Sequence, residues 1–317
     1  MLRQYRIVVL GSQKMLDSRG ESERLPYRGR FAPTPSGPLH LGSLSTALAS
    51  YLDARHAGGR WLIRIDDLDA PRCRPEHADT ILRQLEAHGL RWDEEVRYQS
   101  RHTGEYEAAF DQLRADGLCY LCTCTRARLA ETSHSGIDGP VYAGICSRAG
   151  HQGAGSWRVR MPDGVISLED RLHGTISRDM QRDIGDFMIR RADGLIGYQL
   201  ASVIDEREQG INTLVRGADL IGSSLRQQYL LSHFGIPIPA YLHVPVLLDS
   251  SGLKLSKQNH ALPIASKNAA QNLIRALTLL GQSAFAADWH GRIDEILRLA
   301  VRNWNPALIP RRLDLPA

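Results

Sequence analysis

The chain has 317 residues, of which 43% are hydrophobic and 23% are charged. These proportions are near the averages of globular proteins, which excludes a wholly disordered chain, and the length corresponds to about two domains of roughly 100–200 residues each. With 39 Lys and Arg against 35 Asp and Glu, the formal net charge is +4, which permits an RNA or nucleotide partner without requiring one. The apolar runs, such as residues 7–10, are too short for a membrane span or a signal-peptide core. We therefore expect a cytoplasmic protein without a membrane partner.

The N-terminal part of the chain predicts a leader followed by alternating strands and helices. Residues 1–27 carry scattered charge and turn-forming residues, and we interpret them as a poorly ordered leader. The sequence then predicts a strand at 28–33, a helix at 40–58 with leucines at helical spacing, and a strand at 61–65. Prolines and a glycine at 33–38 forbid regular structure between the first strand and the helix. A strand, a helix and a strand within about 40 residues indicate a βαβ unit and therefore a parallel sheet.

The remaining chain predicts five further helices and four further strands. The helices are expected near 76–88, 103–116, 218–233, 268–281 and 291–303, and the strands near 157–161, 186–190, 211–215 and 241–248. Residues 119–150 differ, because they contain most of the cysteines and several glycines and show no sustained period. We interpret this stretch as an inserted, metal-bound lobe.

A rigid turn connects the first predicted strand to the helix that follows. The residues of interest in this region are Pro33, Thr34, Gly37, His40, Gly42 and Ser43. A helix N-terminus presents unpaired N–H groups and partial positive charge, which favours a phosphate group. Gly42 in the first turn leaves space for a base or a sugar, and the His40 side chain is able to donate a hydrogen bond to a phosphate oxygen. The alternative is a proline-rich surface turn with an exposed histidine.

A lysine-bearing loop follows the last predicted strand. Lys254, Ser256 and Lys257 lie in this loop, directly after Gly252 and Leu253. Two lysines three residues apart on a mobile loop are able to close over a triphosphate and to neutralise the charge of a phosphoryl-transfer transition state. The alternative is a solvated surface loop.

Together, the turn and the loop resemble the two signature motifs of the class I aminoacyl-tRNA synthetases. Residues 30–37 and 64–69 are similar to the glutamate-specific branch of that family, and 215–220 is similar to its substrate-binding segment. The resemblance extends over residues 28–262, and it implies an α/β fold with a Rossmann-type parallel sheet. The implied division is a leader at 1–27, the two halves of the Rossmann catalytic domain at 28–118 and 186–262, an inserted zinc-binding, acceptor-type subdomain at 119–185, and C-terminal helices at 263–317.

The length of the chain indicates which members of the synthetase family it resembles most. Only 60 residues follow Lys257, which is too few for the large anticodon-binding region of a glutamyl-tRNA synthetase. A truncated architecture with the sequence Lys-Leu-Ser-Lys-Gln at 254–258 resembles the glutamyl-queuosine tRNA(Asp) synthetase family. That resemblance implies a ligase that activates L-glutamate with ATP and Mg²⁺ and attaches it to queuosine in the anticodon of tRNA(Asp). We expect a monomer without an anticodon-binding domain.

Three other functions stay open. The first is a shortened glutamyl-tRNA synthetase that charges the 3′ end of tRNA. The second is a non-catalytic RNA-binding paralogue, although the presence of His40, Lys254 and Lys257 argues against it. The third is a small nucleotidylyltransferase, which would share the turn but would explain neither the length nor the cysteine-rich lobe.

The cysteine cluster matches the zinc pattern of the same family, Cys-x-Cys followed by Tyr-x-x-x-Cys. The matching residues are Cys122, Cys124, Tyr142 and Cys146. Thiolates are favoured zinc ligands, and four protein ligands leave no open position for water, so the resemblance implies one structural Zn²⁺ per chain. Because a phenolate is an uncommon ligand, Cys119, His134 and His151 are alternatives to the tyrosine. A metal-free group of reduced cysteines also stays open.

The resemblance further implies where the substrates bind. The residues implied for ATP are Pro33, Thr34, Gly37, His40, Gly42, Ser43, Ser256 and Lys257, with His40, Lys254 and Lys257 as the catalytic residues. The residues implied for glutamate are Arg30, Phe31, Ala32, Pro33, Thr34, Asp66, Tyr198 and Arg216.

Glutamate carries two carboxylates and one ammonium group, so its site requires cations and an anion. Arg30 and Arg216 are expected on carboxylates, because the planar guanidinium of arginine binds a carboxylate at two points. Asp66 stands where the family usually has Glu and is expected on the α-ammonium group, although its shorter side chain requires a shift of the pocket or a bridging water. The alternatives are structural ion pairs for the two arginines and a strand-end cap for Asp66.

Overall fold

The computed structural model describes residues 15–16, 22–23, 25–136, 139–255, 261–282 and 292–317. Within these residues the α-helices are α1 (Leu41–His56), α2 (Pro75–Ala87), α3 (Thr103–Ala115), α4 (Arg126–Thr132), α5 (Tyr198–Glu208), α6 (Ile221–His233), α7 (Ala269–Leu279) and α8 (Ile293–Asn303). The strands are β1 (Met15–Leu16), β2 (Ser22–Glu23), β3 (Arg28–Phe31), β4 (Arg60–Ile65), β5 (Arg97–Tyr98), β6 (Cys119–Cys122), β7 (His134–Gly136), β8 (Gly139–Val141), β9 (Ser156–Val159), β10 (Val165–Asp170), β11 (Gly174–Asp179), β12 (Phe187–Arg190), β13 (Thr213–Gly217), β14 (Ala240–Val244), β15 (Val246–Leu248) and β16 (Asp314–Pro316). Short 3₁₀ turns lie at Gln99–Arg101, Ala218–Leu220, Ser266–Asn268 and Pro306–Leu308, and a π-helical turn lies at Met180–Ile184.

Parallel strands form the centre of the fold. β3, β4 and β5 pair in parallel in that order, and β13 pairs in parallel with β14. β10 joins β14 in parallel, and β11 pairs with β10 in the antiparallel direction. β3 and β13 lie side by side. The backbone N–H of Asn212, directly before β13, donates to the Arg28 carbonyl oxygen in β3 at 3.1 Å. The α/β class and the parallel sheet predicted from the sequence are confirmed.

Helix α1 packs against this sheet and carries the first part of the core. Leu44, Leu48 and Leu52 lie four residues apart on the helix and are fully buried. Trp61 in β4 is also buried, and its indole nitrogen donates to Ser50 Oγ at 2.8 Å. Burial of a leucine contributes roughly 1.5–3 kcal/mol, so this face holds α1 firmly on the sheet. α7 and α8 cover α1 from the other side.

A buried carboxylate, that of Asp53, connects α1 to three distant parts of the chain. It accepts hydrogen bonds from Tyr27 Oη at 2.8 Å, from the Arg171 guanidinium at 2.6 and 2.9 Å, and from Trp304 Nε1 at 2.9 Å. These partners come from the segment before β3, the β10–β11 connection and the segment after α8. The helix whose N-terminus borders the site described below is therefore fixed from several directions.

A second, antiparallel sheet with the strand order β12-β9-β6 forms the inserted lobe. The strand pairing in this region could not be predicted from the sequence: β10 and β11 join the parallel sheet, whereas β12, which follows them in the chain, joins the inserted sheet. The physical reason is that pairing partners, such as Phe187 opposite Val159, are far apart in sequence and leave no mark on local periodicity. The predicted division into domains stays a prediction.

Several elements were absent from the sequence prediction, and the longest of them are the β10–β11 hairpin and α5. α5 buries Asp205 and Glu206 together with Leu200 and Ile204, and buried carboxylates remove the contrast between faces on which periodicity depends. The five later helices predicted from periodicity are present as α2, α3, α6, α7 and α8, with boundaries that agree within a few residues.

The predicted leader is described only in part. β1 pairs with β2 in the antiparallel direction, with Met15 opposite Glu23, and most of the other leader residues lie outside the described residues. No helix in the described part of the chain combines the length and the apolar character that a membrane crossing requires.

Candidate active site

A cavity of about 430 Å³ opens at the carboxyl ends of β3 and β13, next to the first turn of α1. Small-molecule sites have volumes of about 300–1,000 Å³, and open α/β sheets bind their ligands at this edge. The walls come from three stretches of chain, 30–46, 215–220 and 246–255, with contributions from two further residues. One cavity thus joins the turn that precedes α1 with the beginning of the lysine-bearing loop.

Most residues that the sequence predicted at the substrate site line this cavity. They are Arg30, Phe31, Ala32, Pro33, Thr34, His40, Gly42, Ser43, Tyr198, Arg216 and Lys254. Gly37 and Asp66 do not line it. Ser256 and Lys257 lie outside the described residues.

The first turn of α1 forms one wall of the cavity. His40 is the N-cap residue of this helix, and its Nδ1 accepts a hydrogen bond from the Ser43 amide at 3.3 Å. Its Nε2 lies 2.9 Å from Ser43 Oγ. A Cβ atom at Gly42 would lie 3.2 Å from both Cε1 and Nδ1 of His40, so a side chain at this position would displace the imidazole. The imidazole is thereby held at a helix N-terminus, where partial positive charge favours an anion.

Arg30 and Arg216 line the cavity, and together with Glu206, the buried carboxylate that joins them without lining the cavity, they form what we call the cavity floor. The two arginines line the cavity but are only 4% and 2% exposed, and Glu206 is 2% exposed. Arg30 Nη2 donates to Glu206 Oε1 at 2.8 Å, and Arg216 Nη2 donates to the same oxygen at 3.1 Å. Burial and the neighbouring charge of Arg216 lower the pKa of Arg30, while Glu206 opposes this shift. Two cations share one anion, so the floor has excess positive charge that favours an anionic ligand.

The two interpretations of the arginines from the sequence are therefore compatible. Arg30 and Arg216 do form buried ion pairs, as the structural alternative stated, and they also face the cavity. Their common partner, Glu206, was missed by sequence reasoning. In the sequence, Asp205 and Glu206 begin a charged run at 205–208 that follows the mainly apolar 200–204, so no local signal marks Glu206 as buried.

Asp66 lies behind the cavity and not in its wall. Its buried carboxylate accepts hydrogen bonds from Arg64 Nε at 2.7 Å and from Arg64 Nη2 at 3.4 Å. Burial raises the pKa of Asp66, although the charge of Arg64 opposes the shift. The structure therefore does not place Asp66 with the other predicted glutamate-binding residues, because its short side chain ends on Arg64.

An ion pair lies at the edge of the cavity. Lys254 Nζ donates to Asp219 Oδ2, and both side chains are partly exposed. Lys254 pairs with Leu248 across a tight turn after β15, which returns the beginning of the lysine-bearing loop to the cavity. Asp219 and Arg72, which had no predicted role, also line the cavity. Asp219 belongs to the 215–220 segment, and the similarity of this segment to the family's substrate-binding segment was the available signal that Asp219 lies at the site.

A second group of reactive side chains lies in the inserted lobe and contains three thiols and a phenol. The Sγ atoms of Cys122, Cys124 and Cys146 lie within 4.8 Å of one another. Tyr142 Oη is 3.5 Å from the sulfur atoms of Cys122 and Cys124, and it accepts a hydrogen bond from the Cys146 amide at 2.9 Å. The sulfur atoms of Cys124 and Cys146 are 3.5 Å apart. We call these four residues the thiol cluster.

The donor atoms of the thiol cluster fit a tetrahedral metal ion. Zn–S bonds of about 2.3 Å place the sulfur atoms of a tetrahedral site about 3.8 Å apart, which compares with 3.5 Å between Cys124 and Cys146 and with the 4.8 Å within which all three sulfur atoms lie. Among the described residues, the group with metal-binding geometry comprises the three cysteines and does not include Cys119, His134 or His151. Burial raises the pKa of Cys119 to about 12, which keeps it a thiol, and His134 Nε2 instead lies 2.8 Å from the Arg182 carbonyl oxygen.

The cavity and the thiol cluster both lie within a stretch that matches a known family. The family described as tRNA synthetases class I (E and Q), catalytic domain, matches residues 27–288. The chain belongs to this family. A glutamyl-Q tRNA(Asp) synthetase from Chromobacterium violaceum is 50% identical to this synthetase over 287 residues, which cover 90% of this chain and 95% of that protein. The protein of the same name from Thiobacillus denitrificans is 46% identical over 284 residues, which cover 89% of this chain and 94% of the relative.

Solved structures show the same fold. A glutamate tRNA ligase from Elizabethkingia meningosepticum, in complex with its amino acid, is similar with a TM-score of 0.72 and 22% identity over 92% of this chain and 67% of that chain. A glutamate-tRNA synthetase from Elizabethkingia anophelis gives a TM-score of 0.74 and 22% identity over 92% of this chain and 68% of that chain. The chain therefore has the catalytic fold of a class I synthetase, and its membership of this family makes it a ligase.

Proposed function

We propose that this synthetase activates L-glutamate with ATP to glutamyl-adenylate and then transfers the glutamyl group to queuosine in the anticodon of tRNA(Asp). Relatives named glutamyl-Q tRNA(Asp) synthetase support this proposal, because the chain covers 95% and 94% of the two described above. The observation that carries it is that one cavity is lined by residues suited to a phosphate group and by residues suited to a carboxylate. An anion-binding helix N-terminus with His40 lies beside the cavity floor, whose Arg30 and Arg216 are suited to a carboxylate.

In the first step, an oxygen of the glutamate α-carboxylate attacks the α-phosphorus of ATP, and the bond to pyrophosphate breaks. The carboxylate is ionised at neutral pH, so no general base is needed, and the cavity acts by positioning and charge stabilisation. We assign the phosphate groups to His40, to the N-terminus of α1 and to the lysine-bearing loop. Mg²⁺, when bound with ATP, supplies further neutralisation of the phosphate charge.

For the amino acid, we assign a carboxylate of glutamate to Arg30 and Arg216. We also assign Tyr198, which lines the same cavity, to the amino acid. We retain Asp66 as the partner of the α-ammonium group, with a water molecule between them because its side chain is short and held by Arg64.

In the second step, a hydroxyl group of the queuosine cyclopentenediol attacks the carbonyl carbon of the adenylate. An ester bond forms and AMP leaves. This acceptor distinguishes the proposed function from charging of the 3′ end, where the hydroxyl belongs to the terminal adenosine.

For the thiol cluster we propose a structural Zn²⁺. Cys122, Cys124 and Cys146 would supply three thiolates and Tyr142 a fourth ligand, and such a closed site stabilises a loop-rich lobe without taking part in chemistry.

The proposed function is tested by locating the product. The protein is incubated with ATP, radiolabelled glutamate and tRNA(Asp) that either contains or lacks queuosine, and the label is located by nuclease digestion. We expect label on the anticodon nucleoside of the queuosine-containing tRNA, also after removal of the 3′-terminal adenosine. Label on the terminal adenosine would establish the shortened glutamyl-tRNA synthetase instead, and no label on either tRNA would favour the non-catalytic paralogue.

A further inference from the structure

Glu206 contacts both arginines of the cavity floor, and neither the family match nor the sequence analysis gives it a role. It is buried on α5 and does not itself line the cavity, and one of its carboxylate oxygens accepts hydrogen bonds from Arg30 at 2.8 Å and from Arg216 at 3.1 Å. We propose that Glu206 is a positioning residue, which fixes the relative orientation of the two guanidinium groups and thereby determines the affinity for glutamate. This inference rests on the proposed function of the cavity.

The charges around the floor explain why an anion is needed at this position. Next to the floor, Arg64 pairs with Asp66 at 2.7 Å and with Asp205 at 3.4 Å, and Arg97 pairs with Asp205 and Glu105, so the ion pairs of these groups are made with one another and not with the floor. The floor has two guanidinium groups and one carboxylate. Without Glu206, two buried cations would face each other, and their repulsion in a medium of low dielectric would separate them. With it, both stay close together, and the substrate carboxylate supplies the second negative charge.

Unpaired polar atoms argue against a purely structural ion pair. Within the described residues, Glu206 Oε2, Arg30 Nε and Arg216 Nε are buried and have no hydrogen-bond partner. Buried polar groups are almost always paired, so these three atoms have hydrogen-bonding capacity that a ligand or a water molecule is able to use. The floor therefore holds its arginines in place without using all of their hydrogen-bonding capacity.

The two arginines depend on Glu206 to different degrees. Arg216 also donates to Gln227 Oε1 at 2.7 Å and to Ser224 Oγ at 3.3 Å, so it is held from a second side. In the described part of the chain, the Arg30 guanidinium donates to Glu206 and to no second acceptor. We therefore expect the loss of the Glu206 charge to release Arg30 more than Arg216.

The test uses the full chain and compares Glu206→Gln with Glu206→Asp by glutamate-dependent ATP–pyrophosphate exchange. Glutamine keeps the size and an acceptor oxygen but removes the charge, whereas aspartate keeps the charge on a shorter side chain. For Glu206→Gln we expect the KM for glutamate to rise about 10- to 100-fold, with the KM for ATP unchanged within about threefold. Glu206→Asp should lie between the wild type and Glu206→Gln.

A matched control lies on the same helix. Glu208 is 38% exposed and pairs with Arg207 at 2.8 Å, so Glu208→Gln removes one acidic charge from α5 away from the cavity. We expect both KM values of this variant to equal those of the wild type.

An unchanged KM for glutamate in Glu206→Gln, together with a lower Tm, would give Glu206 a structural role only and would overturn the proposal. A parallel rise in both KM values would also overturn it, because that pattern indicates general distortion. Should Glu206→Gln fail to fold, Glu206→Asp decides by the same criterion. A wild-type protein without glutamate-dependent exchange is a different result, since it refutes the proposed function and the inference with it.

Discussion

The residues of the cavity floor are far apart in sequence, whereas those of the thiol cluster are close together. Arg30 and Glu206 are 176 residues apart in sequence, and the parallel sheet together with α5 brings them into contact. Cys124 lies 18 residues from Tyr142 and 22 residues from Cys146, all within one lobe. The floor is thus a product of the whole catalytic domain, whereas the cluster is a local arrangement.

This difference determines what each region needs in order to keep its shape. The floor is surrounded by buried side chains and fixed by opposite charges, so it is organised before any ligand binds. The thiol cluster lies in a loop-rich lobe, where a metal ion would replace a large core as the stabilising element. Among the described residues, no residue of 119–150 lines the cavity. Changes in one region should therefore leave the other intact.

The largest effect is expected for Arg30→Ala. It removes a buried cation that we assign to the substrate carboxylate, and loss of one partner of a buried charge pair costs enough to lower kcat/KM for glutamate about 10³-fold. The measurement is ATP–pyrophosphate exchange as a function of glutamate concentration. The zinc content of the purified variant is the control and should equal that of the wild type. A kcat/KM for glutamate within a few-fold of the wild-type value would show that Arg30 does not bind the substrate carboxylate.

The next effect is expected for Lys257→Ala, in the loop whose Lys254 reaches the cavity edge. Loss of a cation that stabilises the transition state should lower the rate of adenylate formation about 10²–10³-fold, with little change in the KM for glutamate. Lys267→Ala, at an exposed 3₁₀ turn near α7, is the matched control. A rate of Lys257→Ala similar to that of Lys267→Ala would show that this lysine does not act on the phosphates.

A smaller effect on glutamate activation is expected for Cys124→Ser. Removal of one thiolate should release the zinc ion and lower the thermal stability of the lobe, while glutamate-dependent exchange changes less than about threefold because the cavity does not contain lobe residues. Zinc content and Tm are measured beside the exchange rate. Cys119→Ser, which changes a cysteine outside the thiol cluster, should keep the metal. A loss of exchange activity as large as that of Arg30→Ala would mean that the two regions are coupled.

The sequence predicted the features that lie within one short stretch of chain. The strand, the Pro- and Gly-containing turn and α1 follow one another directly, so turn residues and leucine spacing were sufficient to place His40 and Gly42 at a helix N-terminus. The thiol cluster was predicted in the same way, because the residue pattern of a metal site is local and is shared within a family.

The partners of the floor could not be predicted, because they depend on the tertiary fold. Glu206 lies on a helix whose buried acidic residues concealed its period, and it meets Arg30 only after the sheet has formed. The contact between Asp66 and Arg64 is a second example, since the resemblance implied a role for Asp66 but the sequence did not show which side chain its carboxylate would contact. Local pattern thus identifies which groups are present, and packing decides which of them meet.

The smallest effect concerns the fourth ligand of the thiol cluster. Tyr142→Phe keeps the ring, which packs under the Arg158 guanidinium at 4.1 Å, and removes only the oxygen that lies 3.5 Å from two of the sulfur atoms. If the phenol oxygen binds the metal, three thiolates remain, and zinc affinity measured by competition with a chelator should fall about 10-fold while the metal is still bound at saturation. Tyr120→Phe is the matched control, because the Tyr120 hydroxyl donates to Asp186 and not to the thiol cluster. Equal zinc affinities of the two variants would exclude Tyr142 as a ligand and leave the fourth position to water, and the site would then no longer be closed by protein ligands alone.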